Sequence, residues 1–261
     1  MRYLLLLTAF VRAGFIADLQ YRANIIAQIL TDLCWYLAHI ALFEVLYRHT
    51  PTLGSWSIED MRIFFGVLFL ADAIQMILTS EGLNQFGTLV VSGNLDLLLA
   101  KPVNSQFMVS CQKISSSYII NALVVLAWLT FSLVDRTGEF SPLLLAISIY
   151  VSTAGAVILY GFRFSFAAFA LIFVQSDNLQ YVFYTLFRLA SRPYSIYPRT
   201  FKIILMTVIP LAFIAGIPAE ILISWPAPGK LIILSLAALL TLLLSTCLWR
   251  IAVRRYSSAS S

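Results

Sequence analysis

Charge is scarce in this chain of 261 residues. Asp, Glu, Lys and Arg make up 11% of it, against about 25% in an ordinary soluble domain. No stretch is both polar and long enough to form a separate soluble domain, so a single domain, 1–261, is expected. Reactive residues are equally sparse. Cys34, Cys111 and Cys247 are scattered with no C-x-x-C pair, and they read as small apolar filler. His39 and His49 have no metal-ligating partner at helical spacing. Neither H-E-x-x-H nor G-x-S-x-G occurs. The phosphate loop G-x-x-x-x-G-K-[ST] is also missing. At the Gly229–Lys230 pair, Ser224 stands where the first Gly is needed and Leu231 where Ser or Thr is needed. The chain is therefore not expected to be an enzyme. It offers no catalytic residue, no metal site and no cofactor site, and any ATP must be bound by a partner subunit. No basic cluster is interleaved with aromatics, so no nucleic acid is expected either.

Apolar residues are abundant: 61% of the chain, with a mean hydropathy of +0.90. This is the composition of an all-α membrane protein. Helices satisfy their own backbone hydrogen bonds in lipid, and the alternation of a β-barrel is absent. Sustained apolarity predicts six transmembrane helices, near 24–47, 61–80, 108–134, 143–174, 201–224 and 231–253. The opening "MRYLLLLTAFVRAGF" resembles a signal peptide, but Arg12 ends its apolar run early. A retained interfacial helix over 1–22 is expected instead. The tail "YSSASS" reads as a disordered end.

The basic residues set an orientation. Arg2, Arg12 and Arg22 precede the first span; Lys101 and Lys113 follow the second; Arg188, Arg192, Arg199 and Lys202 follow the fourth; Arg250, Arg254 and Arg255 close the chain. The positive-inside rule then puts both termini and the even-numbered connections in the cytoplasm. Within the fourth connection, Leu179, Val182, Phe183, Leu186, Phe187 and Ala190 form one stripe. They predict an amphipathic helix lying in the cytoplasmic interface, capped by Ser176 or Asp177 and stopped by Pro193. In "VIPLAFIAGIPAEILISWPAPGK", Pro210, Gly216 and Pro218 interrupt the fifth span. Two readings fit: one kinked helix, or an outer re-entrant hairpin before span six.

Charged residues inside spans are expensive. Asp32 and Glu44 fall in span one, Asp72 in span two and Arg163 in span four. Asp32 or Asp72 is expected to approach Arg163, either as structural pairing or as a polar path. Asp72, Arg163 and Glu220 are the candidates for a translocation path.

Between spans two and three stands "VVSGNLDLLLAKPVNSQF". Asn94 is a sound N-cap there. Leu95, Leu98 and Leu99 make one apolar face, Asp96 sits in the first turn, and Lys101 sits at the end, as the helix dipole favours. Pro102 pushes Lys101 toward an extended conformation. The expected element is a short helix lying across the cytoplasmic surface, suited to docking.

Three stretches carry a family resemblance: "YRANIIAQIL", "GNLDLLLAKPVNSQF" and "YPRTFKIILMTVIPLAFIAGIPAEIL". The chain resembles the permease subunits of type-2 ABC transporters, in particular a six-span subfamily. The resemblance implies a multi-pass protein of the bacterial cytoplasmic (inner) membrane, moving a substrate with energy from a separate cytoplasmic ABC ATPase subunit, in the direction of export. It implies a second permease subunit, as homodimer or heterodimer. It makes Gly93, Asn94, Leu95, Asp96, Leu98, Lys101 and Pro102 the ATPase-coupling helix, and Ile217–Glu220 part of the outer hairpin. Gly216 departs from the aromatic or polar residue common there. Outside the resemblance, an ion-coupled carrier and a non-transporting scaffold of a larger machine are the competing readings.

Overall fold

The structure is a computed structural model; it describes residues 2–173, 176–207, 209–224 and 227–256. Every element named among them is helical. The order is α1 (Arg2–Gln20), α2 (Arg22–Tyr47), α3 (Ile58–Asn84), α4 (Phe86–Val91), α5 (Asn94–Leu99), α6 (Ser105–Cys111), α7 (Ser117–Thr137), α8 (Pro142–Phe173), α9 (Ser176–Ala190), α10 (Arg199–Thr207), α11 (Gly216–Ile223) and α12 (Pro228–Arg255). Two 3₁₀ turns, Tyr194–Ile196 and Leu211–Phe213, flank α10. Among the described residues six helices are long and apolar enough to cross a membrane: α1, α2, α3, α7, α8 and α12.

The bundle is built around α3. Its apolar window is 72% buried, against 17% for α12 and 6% for α2. Its residues Phe64, Phe65, Val67, Leu68 and Ala71 are almost fully enclosed, and it packs against α7, α8, α6 and α11. Its start is fixed by a capping box. The Ser57 hydroxyl accepts from the Asp60 N–H at 3.2 Å, and the Asp60 carboxylate accepts from the Ser57 N–H at 3.1 Å. Such reciprocal caps satisfy N–H groups that the first turn leaves free.

Contacts sort the chain into two ends. One, the hairpin end, holds the α2–α3 and α7–α8 connections. There Arg62 of α3 bridges Glu44 of α2 at 2.7 Å and Asp135 of α7 at 3.4 Å. Arg136 of α7 pairs with Asp60. The Trp56 indole donates to the Ser195 hydroxyl at 2.7 Å, and the Tyr194 hydroxyl donates to Glu220 at 2.7 Å. The other, the short-helix end, holds α4, α5 and α6. Lys113 pairs with Glu81 at 3.2 Å. The Trp249 indole donates to the Ser105 hydroxyl at 2.9 Å and packs on Phe86 and Phe164. Both ends of the chain belong here. The Tyr3 ring packs against Phe107 at 5.3 Å, and the last turns of α12 bury Trp249 and Ala252.

Helix α1 lies along α6 and the segment after it. Asp18 accepts from the Ser116 N–H at 2.6 Å and from its hydroxyl at 2.7 Å. One turn into α2, Gln28 accepts from Ser117 at 2.9 Å.

The course of the long helices departs from expectation in three places. Expected span three, 108–134, is two helices. The polar run around Lys113, Ser115 and Ser116 stops α6 at Cys111, and α7 starts afresh at Ser117. Expected span five, 201–224, is not one helix either. Pro210 has no N–H to give, and the chain turns through Leu211–Phe213 before α11 resumes at Gly216. The segment that leads into this region (Tyr194, Ser195) and its close (Glu220, Ser224) both sit at the hairpin end, beside Trp56. Its middle is tucked into the bundle: Ile214 and Ala215 are fully buried, and a Cβ at Gly155 would collide with the Ile214 carbonyl oxygen.

The third correction concerns α9. It runs antiparallel along α8, with Phe183 against Phe162 and Phe166, from the short-helix end back to the hairpin end. Its 15 residues give a rise of about 22 Å. So α9 together with the segment through Ser195, and not 201–224, returns the chain after α8. Phe183, Phe187 and Ala190 are buried and Leu186 is half-buried, as the stripe predicts, but Val182 is exposed. The side chains of Ser176, Asp177 and Leu179, and the tail 257–261, lie outside the described residues. This path also moves Arg192, Arg199 and Lys202 from the expected side with Lys101 to the hairpin end.

Candidate functional site

The first candidate is the short helix α5. Gly93 precedes it with φ 71° and ψ 0°, a left-handed conformation that L-residues rarely adopt. This corrects the expected cap. Gly93 is the N-cap, and Asn94 is the first helical residue, its amide donating to the Ser92 hydroxyl at 2.9 Å. Leu95 and Leu98 are buried and Leu99 is half-buried, the apolar face the spacing predicts. They join a cluster with Leu83, Phe86, Phe164, Leu171 and Trp249. Helix α5 packs directly on its neighbours α4 and α6, and its leucines share one apolar cluster with residues of α3, α8 and α12. Its other side is open. Val91 is 78% exposed and Leu97 67%, with Asn94, Lys101 and Pro102 exposed around them. Asp96 is half-buried in the first turn.

Asn104 begins the next element by accepting from the Phe107 N–H at 3.1 Å, which starts α6. Helix α6 is tied inward. Gln106 donates to Tyr160 of α8 at 3.2 Å, and Ser110 shares a hydrogen bond with the same hydroxyl at 2.9 Å.

The second candidate is a cavity of about 380 Å³ between α2, α3, α8 and α9. Asp32, Asp72, Arg163 and Arg188 line it, with Trp35, Tyr36, Phe183 and Phe187 as aromatic wall. The structure brings Asp72 and Arg163 to one space, as expected, but not into an ion pair. Arg163 donates to Asn84 at 2.6 Å and to the Tyr184 hydroxyl at 3.4 Å, and its guanidinium lies over the Phe183 and Tyr184 rings. Asp32 accepts from Asn121 at 2.7 Å. Asn84, Tyr184 and Asn121 were not singled out from the sequence. A lone Asn in the apolar run "SYIINALVVLAW" is the same kind of signal as a lone charge, and it would have exposed Asn121.

Glu220 is elsewhere. It faces a separate space of about 210 Å³ at the hairpin end, lined also by Trp56, Asp60 and Lys230. Burial and the hydrogen bond to Glu220 raise the Tyr194 phenol above its ordinary pKa, so it stays protonated and remains the donor. A further cavity of about 540 Å³, between α3, α6, α8 and α12, has no charged side chain in its lining. Among the described residues no three His, Cys, Asp or Glu side chains gather as a metal site would require.

A sequence profile described as "ABC-2 family transporter protein" matches residues 33–260. No curated protein and no solved structure matches the chain.

Proposed function

Since the chain belongs to the ABC-2 transporter family, and is therefore a multi-pass membrane permease, we propose that it is the membrane-spanning subunit of an ATP-driven exporter. In this reading a separate ABC ATPase hydrolyses ATP and presses on α5, and a second permease subunit, identical or not, completes the pore. The observation that carries it is the two-sided character of α5. Leu95 and Leu98 are buried in an apolar cluster that also holds residues of α3, α8 and α12, with α4 and α6 as direct neighbours, and Leu97 faces outward between exposed Val91 at the end of α4 and exposed Lys101 just after α5. A six-residue helix has little stability of its own. A push on its open face therefore passes to α4 and α6 and, through the shared apolar cluster, toward α3, α8 and α12.

The orientation follows the same reading. The short-helix end would be cytoplasmic, with both termini, in the bacterial inner membrane. Arg250, Arg254 and Arg255 close α12 there. At the opposite end Arg62 and Arg136 are consumed by carboxylates, but Arg192, Arg199 and Lys202 also lie there, so the orientation rests on α5 as the ATPase contact and not on the number of basic residues. The region 194–224, entered and left at the hairpin end, then serves as an outer re-entrant hairpin.

The test is a double substitution, Asp96→Ala with Lys101→Ala, in membranes containing the ATPase. ATP hydrolysis should continue while transport falls, with insertion unchanged. Normal transport by the double variant would reduce α5 to a connector. A second reading, an ion-coupled carrier, draws on the buried Asp72. It requires that collapsing the proton gradient stop transport and that vanadate leave it untouched.

A further inference from the structure

We propose that the charged cavity between α2 and α9 binds the headgroup of a zwitterionic amphiphile, a phospholipid carrying an ammonium and a phosphate on a short linker. The proposal rests on the transport reading, in which that amphiphile is the cargo.

Charges of both signs face one space, supplied by four different helices: Asp32 and Asp72 on α2 and α3, Arg163 and Arg188 on α8 and α9. They do not neutralise one another directly. Arg163 is 6% exposed, and its hydrogen bonds go to a neutral amide and a neutral hydroxyl. Among the described residues no carboxylate oxygen lies within 4.0 Å of it. Asp72 is 8% exposed and makes neither a hydrogen bond nor an ion pair among the described residues. Taking a charge out of water without a close partner of opposite sign costs several kcal/mol, so a ligand that supplies a partner to both poles at once is favoured.

A purely anionic ligand would satisfy Arg163 and meet two carboxylates. A purely cationic one would satisfy the carboxylates and meet a guanidinium. A ligand with both charges, separated by a linker, matches the wall in its own order. The phosphate goes to Arg163, which presents N–H donors suited to it. The ammonium goes to Asp72 and Asp32, against Trp35 and Tyr36, whose ring faces favour a cation.

The volume of about 380 Å³ falls in the range of small-ligand sites, about 300–1,000 Å³. The mouth has a direction as well. Thr31 and Trp35 of α2 and Tyr184 and Arg188 of α9 are exposed, so the cavity opens sideways between α2 and α9. Acyl chains would trail there into the apolar phase. The larger cavity beside α6 lacks charge and offers a headgroup nothing.

The test uses the full-length chain in nanodiscs of equal parts phosphatidylethanolamine and phosphatidylglycerol. The chain is then extracted into detergent, and the retained lipid is counted by mass spectrometry. The wild type should retain the amino-phospholipid with a preference of about tenfold, the value of one well-made charge contact. Asp72→Asn should bring the two lipids to parity. Arg163→Gln should lower retention of both, and Arg163→Lys should restore part of it. Equal retention by the wild type overturns the proposal, as does a preference that survives Asp72→Asn. If Asp72→Asn is not monodisperse, Asp32→Asn takes its place under the same criterion. The two readings fail separately. A headgroup preference without any ATPase-coupled transport removes the transport reading and leaves the site. Coupled transport without a preference does the reverse.

Discussion

The α2–α3–α7 corner at the hairpin end and helix α5 at the short-helix end are held by different forces. At the hairpin end, directional charge pairs tie α2, α3 and α7: Arg62 to Glu44 and Asp135, and Arg136 to Asp60. At the short-helix end, α5 is seated by Leu95 and Leu98 in an apolar cluster. Charge pairs fix angle and distance; apolar contact fixes neither closely. The first arrangement suits a closed end. The second suits an end that shifts under load while staying packed.

That contrast can be broken at several points. The largest effect is expected for Leu95→Ala, which removes a fully enclosed side chain. A loss of about 3 kcal/mol should appear in denaturant unfolding of the detergent-solubilised chain, and α5 should become open to proteolysis. Because the lost contact is apolar, added salt should not change the size of the effect. Next comes Gly155→Leu. Its side chain would displace the buried Ile214 carbonyl and the segment around it, at about 2 kcal/mol. Protease access should then rise between α10 and α11 and remain unchanged at α5. An unchanged stability would mean that the tucked segment is held from elsewhere. Arg136→Leu removes a pair whose side chains are 27% and 13% exposed, and it should cost about 1 kcal/mol, read as a fall in unfolding temperature. Smallest is Arg62→Gln, since its pairs with Glu44 and Asp135 are about a third exposed or more. A change of about 0.5 kcal/mol is expected, shrinking further as salt is raised.

Much of the fold was legible because lipid imposes a simple rule. Long apolar runs become helices, and α2, α3, α7, α8 and α12 were found on that basis. The rule misled where local chemistry outweighed mean apolarity. Residues 201–224 are as greasy as a span, yet Pro210 removes a backbone donor and the chain turns. Helix α9 erred the other way. Its spaced polar residues made it look like a surface helix, although Phe183 and Phe187 pack against α8 and the helix climbs back along it. Misreading that one crossing also misassigned the side of Arg192, Arg199 and Lys202.

The site was legible in residue type but not in pairing. Asp72 and Arg163 stood out as intramembrane charges, and the structure brings them to one cavity. That Arg163 takes Asn84 and Tyr184 as partners depends on where α3 ends and how α9 returns. No local pattern encodes either. The face of α5, by contrast, followed from the spacing of three leucines. Only its first residue was misplaced, because Gly93 adopts a conformation that propensity for capping does not reveal.

That glycine has one more consequence. A Cβ built on Gly93 would meet nothing within 4 Å, while its φ is +71°. Substitution there meets no neighbour, so its cost is set by handedness alone. L-alanine should distort the turn by about 1 kcal/mol, and D-alanine, installed by semisynthesis, should fit without strain. At that residue the entry angle of α5 is governed by chirality, in a stretch where everything else is governed by fit.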